Sequence, residues 1–115
     1  MPLPDFIKSL VEKKVGEYCD HKIPAHLRDK ITVTYEIRGN SVTLFENRAP
    51  WREEMTEWTK SKVAQMRYDE KKATWNLFCR DRNGKWHPYG SLSPTKNLDR
   101  VLEEINDDPT CIFWG

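Results

Sequence analysis

The apolar positions of this chain change period twice. Between Pro4 and Asp20, Ile7, Leu10 or Val11, Lys14 or Val15, and Tyr18 recur three or four residues apart, the spacing of one helical face. Pro4 and Asp5 suit the first turn of that helix, where a missing N–H costs nothing and a carboxylate meets the positive end of the dipole. Gly16 weakens its middle by about 1 kcal/mol relative to alanine. Pro24 then opens a short turn through Leu27.

From Ile31 the period falls to two. Ile31, Val33, Tyr35 and Ile37 alternate with Thr32, Thr34 and Glu36, which predicts a half-buried strand. Gly39-Asn40 signals a two-residue hairpin, because the first central residue of a type II′ turn needs a positive φ. Counting outward from that turn pairs Ile37 with Val42 and Tyr35 with Leu44 on one face, and puts Thr34 and Phe45 on the other. Residues 48–61 read as a long connection carrying Trp51 and Trp58; loops of that length usually have a function or packing of their own.

A second meander follows, with strands over 63–68, 73–81 and 85–89. Asp69 to Lys72 turn the first pair, and Asn83-Gly84 the second. These turn lengths set Met66 opposite Trp75, Ala64 opposite Leu77 and Arg80 opposite His87. Cys79 and Trp86 then share the core side. The other side carries Gln65, Arg67, Asn76, Phe78, Arg80, His87 and Tyr89. A slip of one residue would exchange the two sides. Residues 97–106 form a second helix, with Leu98, Val101, Leu102 and Ile105 as its stripe, ended by Pro109. The apolar tail from Cys111 to Trp114 is expected to dock on the core or a sheet edge, or else to serve as a partner patch. The expected fold is therefore α+β: an antiparallel sheet of about five strands in two meanders, with an N-terminal helix and a short C-terminal helix on one face.

Composition narrows the class. A chain of 115 residues has room for one domain, 1–115. With 37% hydrophobic and 32% charged residues it has a globular balance rather than a disordered one. No apolar run approaches the ~20 residues that span a bilayer, and the start lacks a basic segment followed by an apolar one, so a cytoplasmic location without membrane partners is expected. Cys19, Cys79 and Cys111 are odd in number and widely spaced, which suits reduced thiols better than a disulfide framework or a zinc knuckle. The net charge of +1 names no partner. Its distribution is less even: residues 60–86 hold eight basic side chains against three acidic ones, and residues 97–115 hold one against five.

Candidate chemistry is sparse. Cys19, His21 and His26 could supply metal ligands, but no spacing completes a zinc set, and no cofactor is expected. Glu70-Lys71-Lys72 matches a nuclease triplet only formally, because it falls in a turn. His87 with Asp81 or Glu46 could form an acid–base pair. The remaining grouping is the second sheet face, where Phe78 and Tyr89 stand among Arg67, Arg80 and His87. Rings set among cations are what a single-stranded nucleic acid needs. Trp51 or Trp58 from the long connection could instead cover those rings.

The strings VTLFENRAPW (42–51), RYDEKKATWNLFCRDRNGKWHPY (67–89) and DPTCIFWG (108–115) resemble a bacterial family, domain of unknown function 3024. The resemblance runs over nearly the whole chain. It implies a bacterial protein of one domain and supplies no activity and no site residues. The expected function is thus a non-catalytic module that binds a protein partner or self-associates through Trp51, Trp58 and the tail. The alternatives are single-stranded nucleic-acid binding on the Arg67/Phe78/Arg80/His87/Tyr89 face, and an enzyme of unrecognised class.

Overall fold

In the computed structural model, which describes residues 2–50, 54 and 56–114, the first apolar stripe forms helix α1, Asp5–Lys22. Val11, Val15 and Cys19 are its buried side chains, with Ile7, Leu10 and Tyr18 packed beside them. A 3-10 turn, Ala25–Leu27, leads into strand β1, Ile31–Arg38, and the chain returns as β2, Ser41–Arg48. The expected pairing holds throughout this hairpin: Ile37 faces Val42, Tyr35 faces Leu44 and Thr34 faces Phe45. Strands β3, Thr59–Asp69, β4, Thr74–Arg80, and β5, Trp86–Pro88, complete a five-stranded antiparallel sheet in the order β1-β2-β3-β4-β5. Helix α2, Leu98–Asp107, closes the structure, its first turn capped by the Asn97 side chain, which accepts the Asp99 N–H at 3.0 Å.

The two expected meanders are one. β2 pairs with β3 over its whole length, so both strands are longer than the apolar pattern suggests and the connection shrinks to residues 49–58. Both helices lie on the same face. Leu98, Val101, Leu102 and Ile105 of α2 join Val11 and Val15 of α1 over Val33, Val42, Leu44, Met66, Trp75 and Leu77. The tail docks there too. Phe113 is buried, and the carboxylate of Asp108 accepts the N–H groups of Phe113 and Trp114 at 3.0 and 2.8 Å. The Trp114 ring donates to the Ile105 carbonyl at 2.9 Å.

Two registers depart from the expected ones and a third pairing is irregular, each for a local reason. In the β3–β4 hairpin the four-residue turn falls one position later, so Asp69 faces Thr74, Met66 faces Leu77 and Ala64 faces Cys79. That is a two-residue change in pairing, so the faces survive, and Trp75 now lies opposite Tyr68 with ring centroids 5.0 Å apart. The Asp69 carboxylate holds this turn by accepting the N–H groups of Lys71 and Lys72. In the β4–β5 hairpin the turn has three residues rather than two. Asp81 N–H donates to the Lys85 carbonyl, Gly84 N–H donates to the Asp81 carbonyl, and Gly84 takes φ +80°. The pairing slips by one, so Arg80 faces Trp86 and Cys79 faces His87. Finally, β3 carries a bulge: Leu44 faces Ala64 but Phe45 faces Lys62, which leaves Val63 as the extra residue. Val63 and Ala64 are both buried.

Candidate functional site

The sheet has a second face, and among the described residues nothing packs over it. Every side chain on this face that can be described is half-buried or exposed, from Thr34 and Glu36 on β1 to Trp86 on β5. The two single-residue irregularities decide what this face carries. The bulge reverses the alternation of β3 below Ala64, which brings Lys60 and Lys62 onto the side of Phe45. The three-residue turn does the same for β5 and brings Trp86 beside Arg80.

The result is three rings, each with a cation over it. Lys60 Nζ lies 4.2 Å from the Phe45 ring centre, Lys62 Nζ lies 5.7 Å from the Trp86 ring centre, and Arg67 Cζ lies 3.9 Å from the Phe78 ring centre. Arg67 is oriented from behind. Its Nε donates to Gln65 Oε1 at 2.7 Å, and Gln65 Nε2 donates to Thr43 Oγ1 at 3.0 Å. A continuous polar rail therefore crosses β2 and β3 and ends with a guanidinium laid on a phenyl ring of β4. Lys60 also pairs with Glu36 at 3.1 Å, and Arg80 Nε donates to the Lys62 carbonyl. Two hollows indent the face. One of about 330 Å³ lies over Thr43, Phe45, Lys62, Gln65 and Trp86. The other, about 410 Å³, lies at the end where the 39–40 turn meets Arg67, Asn76 and Phe78.

Of the seven residues expected at a binding surface, Arg67, Phe78 and Arg80 are on this face. Tyr89 is not: the β5 slip turns it into the core, where its ring packs on Phe113 with centroids 5.0 Å apart and its hydroxyl donates to Glu104 Oε2 at 2.8 Å. His87 stands opposite Cys79, at the exposed end of the helix-side face, with its Nε2 2.8 Å from Asp81 Oδ2. Trp58 is 45% exposed beside the start of β3. Trp51 lies outside the described residues. The sequence reading missed Lys60, Lys62, Phe45 and Trp86. Phe45 had been placed on this face but not counted, whereas the others depended on the bulge and the turn.

The remaining chemistry does not converge. Burial pushes the Cys19 thiol up to about 12, so it stays protonated, and the His21 ring bonds the Glu17 carbonyl at 2.9 Å instead of turning toward it. Among the described residues no three histidine, cysteine or acidic side chains gather as metal ligands. The hydrogen bond from His87 holds the Asp81 carboxyl below its usual range, at about 2, with help from the Lys85 and Asn83 amides. No helix among those described is long and apolar enough to cross a membrane.

The sequence model of the family described as Domain of unknown function (DUF3024) matches residues 3–115. No curated protein and no solved structure matches the chain.

Proposed function

We propose that this chain, which belongs to the DUF3024 family, binds single-stranded nucleic acid on the open face of its sheet. The observation that carries the proposal is the set of three cation-covered rings, spread over β2, β4 and β5, on one face that no described residue covers. Bases stack on such rings at ~1–3 kcal/mol each whatever their sequence. The lysine ammonium groups, strongly hydrated and on flexible stems, can leave Phe45 and Trp86 to an incoming base and follow the phosphates instead. A duplex keeps its bases inside the stack, so rings on a sheet reach them only in a single strand. Lysine is depleted at the centre of protein interfaces, which weighs against a protein partner on this face.

Titration of short fluorescent oligonucleotides by anisotropy at low salt tests this. Single strands should bind more tightly than duplex of the same length. With Lys60, Lys62 and Arg80 on phosphates, log affinity should fall against log salt with a slope of about −2, at ~0.7 per contact. Trp86→Ala should weaken binding about tenfold through lost stacking while leaving the slope in place. Absence of single-strand binding at low salt would rule the proposal out.

A second reading rests on a different place. The outer edge of β1 has no neighbouring strand among the described residues, and a hollow of about 260 Å³ runs along it between Thr32, Val33 and Thr34 and the Cys19, Ile23 and Arg28 side. An unpaired edge of eight residues can accept a strand from a protein partner or a second copy.

A further inference from the structure

The hollow at the end of the open face has a chemistry of its own, and what it would select rests on the nucleic-acid reading. Its floor is the Arg67–Phe78 stack. Because Arg67 Nε is held by Gln65, the guanidinium plane is fixed across the ring, and its outer face is a platform on which a planar base can lie. Its walls are Pro2, Pro4 and the two turns that carry Asn40 and Glu70. The N-terminal wall is tied in place by Leu3, whose N–H donates to the Gly39 carbonyl at 3.2 Å. At about 410 Å³ the hollow falls within the ~300–1,000 Å³ usual for sites that take a small planar ligand.

The polar groups in it are of both kinds, with Arg67 and Lys71 as cations beside several oxygen acceptors. Asn40 donates its Nδ2 to the Tyr68 carbonyl at 2.9 Å, which leaves Oδ1 as the free end. Asp69 Oδ1 takes the Lys71 and Lys72 amides, which leaves Oδ2. Glu70 adds a carboxylate. Lys71 and Arg67 also line the hollow and balance these two carboxylates, so it has no surplus of cations for a phosphate, and the part of a strand that suits it is a base. Asn76 stands directly opposite Arg67 on the same face, and among the described residues its amide makes no hydrogen bond. An unengaged amide beside a stacking platform offers one acceptor next to one donor.

We infer that this hollow takes adenine or cytosine, and that Asn76 reads the base. Both bases present an exocyclic amine as donor beside a ring nitrogen as acceptor, the complement of a carboxamide; adenine does so at N6 and N7. The amine also meets the acceptors of Asn40, Asp69 and Glu70. Uracil and thymine can also meet a carboxamide, through N3–H and O4, but they turn a carbonyl oxygen instead of an amine toward those acceptors. The pairing makes Asn76 a specificity-determining residue and Arg67 the platform it works beside.

Anisotropy titrations with short labelled homopolymers of adenosine, cytidine and uridine, and their deoxy equivalents, test the assignment. Adenine and cytosine oligomers should bind about tenfold more tightly than uracil or thymine ones. Asn76→Leu should bring the four within about twofold of one another while leaving the weak uridine binding as it was. Asn76→Asp, which keeps the size and an acceptor for the amine but loses the donor to the ring nitrogen, should narrow the difference less than Asn76→Leu does, so a folding defect in one variant is separable from the effect. Arg67→Lys should weaken all bases alike. Wild-type protein that binds uridine and adenosine oligomers equally would overturn the base assignment and leave the binding function standing; protein that binds none of them would overturn the function itself.

Discussion

Glu104 is 6% exposed, and a buried carboxylate is costly unless its oxygens are engaged. Here both are. Tyr89 donates to Oε2 and Arg100 Nη2 to Oε1, each at 2.8 Å. Burial raises the Tyr89 phenol above its ordinary range, and the carboxylate beside it adds to the effect, so the hydroxyl stays a donor. Tyr89→Phe keeps the ring against Phe113 but strands one carboxylate oxygen. We expect a loss of about 1–3 kcal/mol, read as a lower urea midpoint at unchanged slope. A midpoint within error of wild type would mean water replaces the hydroxyl. This role is invisible in the chain itself, because Tyr89 sits in a strand-like run where alternation predicts the opposite face.

The turn of the β4–β5 hairpin gathers three hydrogen bonds on one side chain. Asp81 accepts from His87 through Oδ2 and from the Asn83 and Lys85 amides through Oδ1. These bonds lower its carboxyl from 3.8 to about 2. The folded value is below the unfolded one, so the stabilisation is complete above about pH 4 and is lost as the pH falls toward 2. NMR titration should show the Asp81 carboxyl responding near pH 2, with the amides of Asn83 and Lys85 losing exchange protection over the same interval. Asp81→Asn should abolish that response. An Asp81 that titrates near 4 would show that the turn holds without its carboxylate. The consequence reaches the site, because the same turn sets which side of the sheet Trp86 occupies.

The described residues form one sheet with a covered face and one that none of them covers, and their charge follows that division. The cations of β3 and β4 stand on the uncovered face, while Asp99, Glu103, Asp107 and Asp108 line α2 and its end on the other side. On the proposed function, this division would steer an anionic strand to one side of the domain. The edges are unequal as well. β5 is three residues long and ends in Pro88, which blocks strand addition, whereas β1 presents eight residues without proline. If that edge pairs with a second copy, light scattering from micromolar to millimolar protein should give a mass rising toward twice 13.7 kDa. A mass of one chain throughout would leave the edge to other partners or to none. Such a dimer would join two open faces into one continuous surface, because antiparallel pairing keeps like faces together.

The helices, the first hairpin and the sheet class were all legible in the order of residues. Each is written in short-range periodicity: the α2 stripe, the alternation from Ile31 to Ile37, and a glycine at the turn between them. The docking of the tail could also be anticipated from its apolar run. What the pattern could not settle is parity. Asn83-Gly84 serves a two-residue turn or a three-residue one, and the choice between them moves Trp86 outward and Tyr89 inward. The bulge at Val63 is equally silent, since Lys60-Ser61-Lys62-Val63 shows no alternation that would assign its lysines to a face. Periodicity determined which segments pair and which residues could form a core. Only the packed sheet, where one inserted residue reverses every side chain beyond it, decided that Lys62 and Trp86 would join Phe45, Arg67 and Phe78 on one surface.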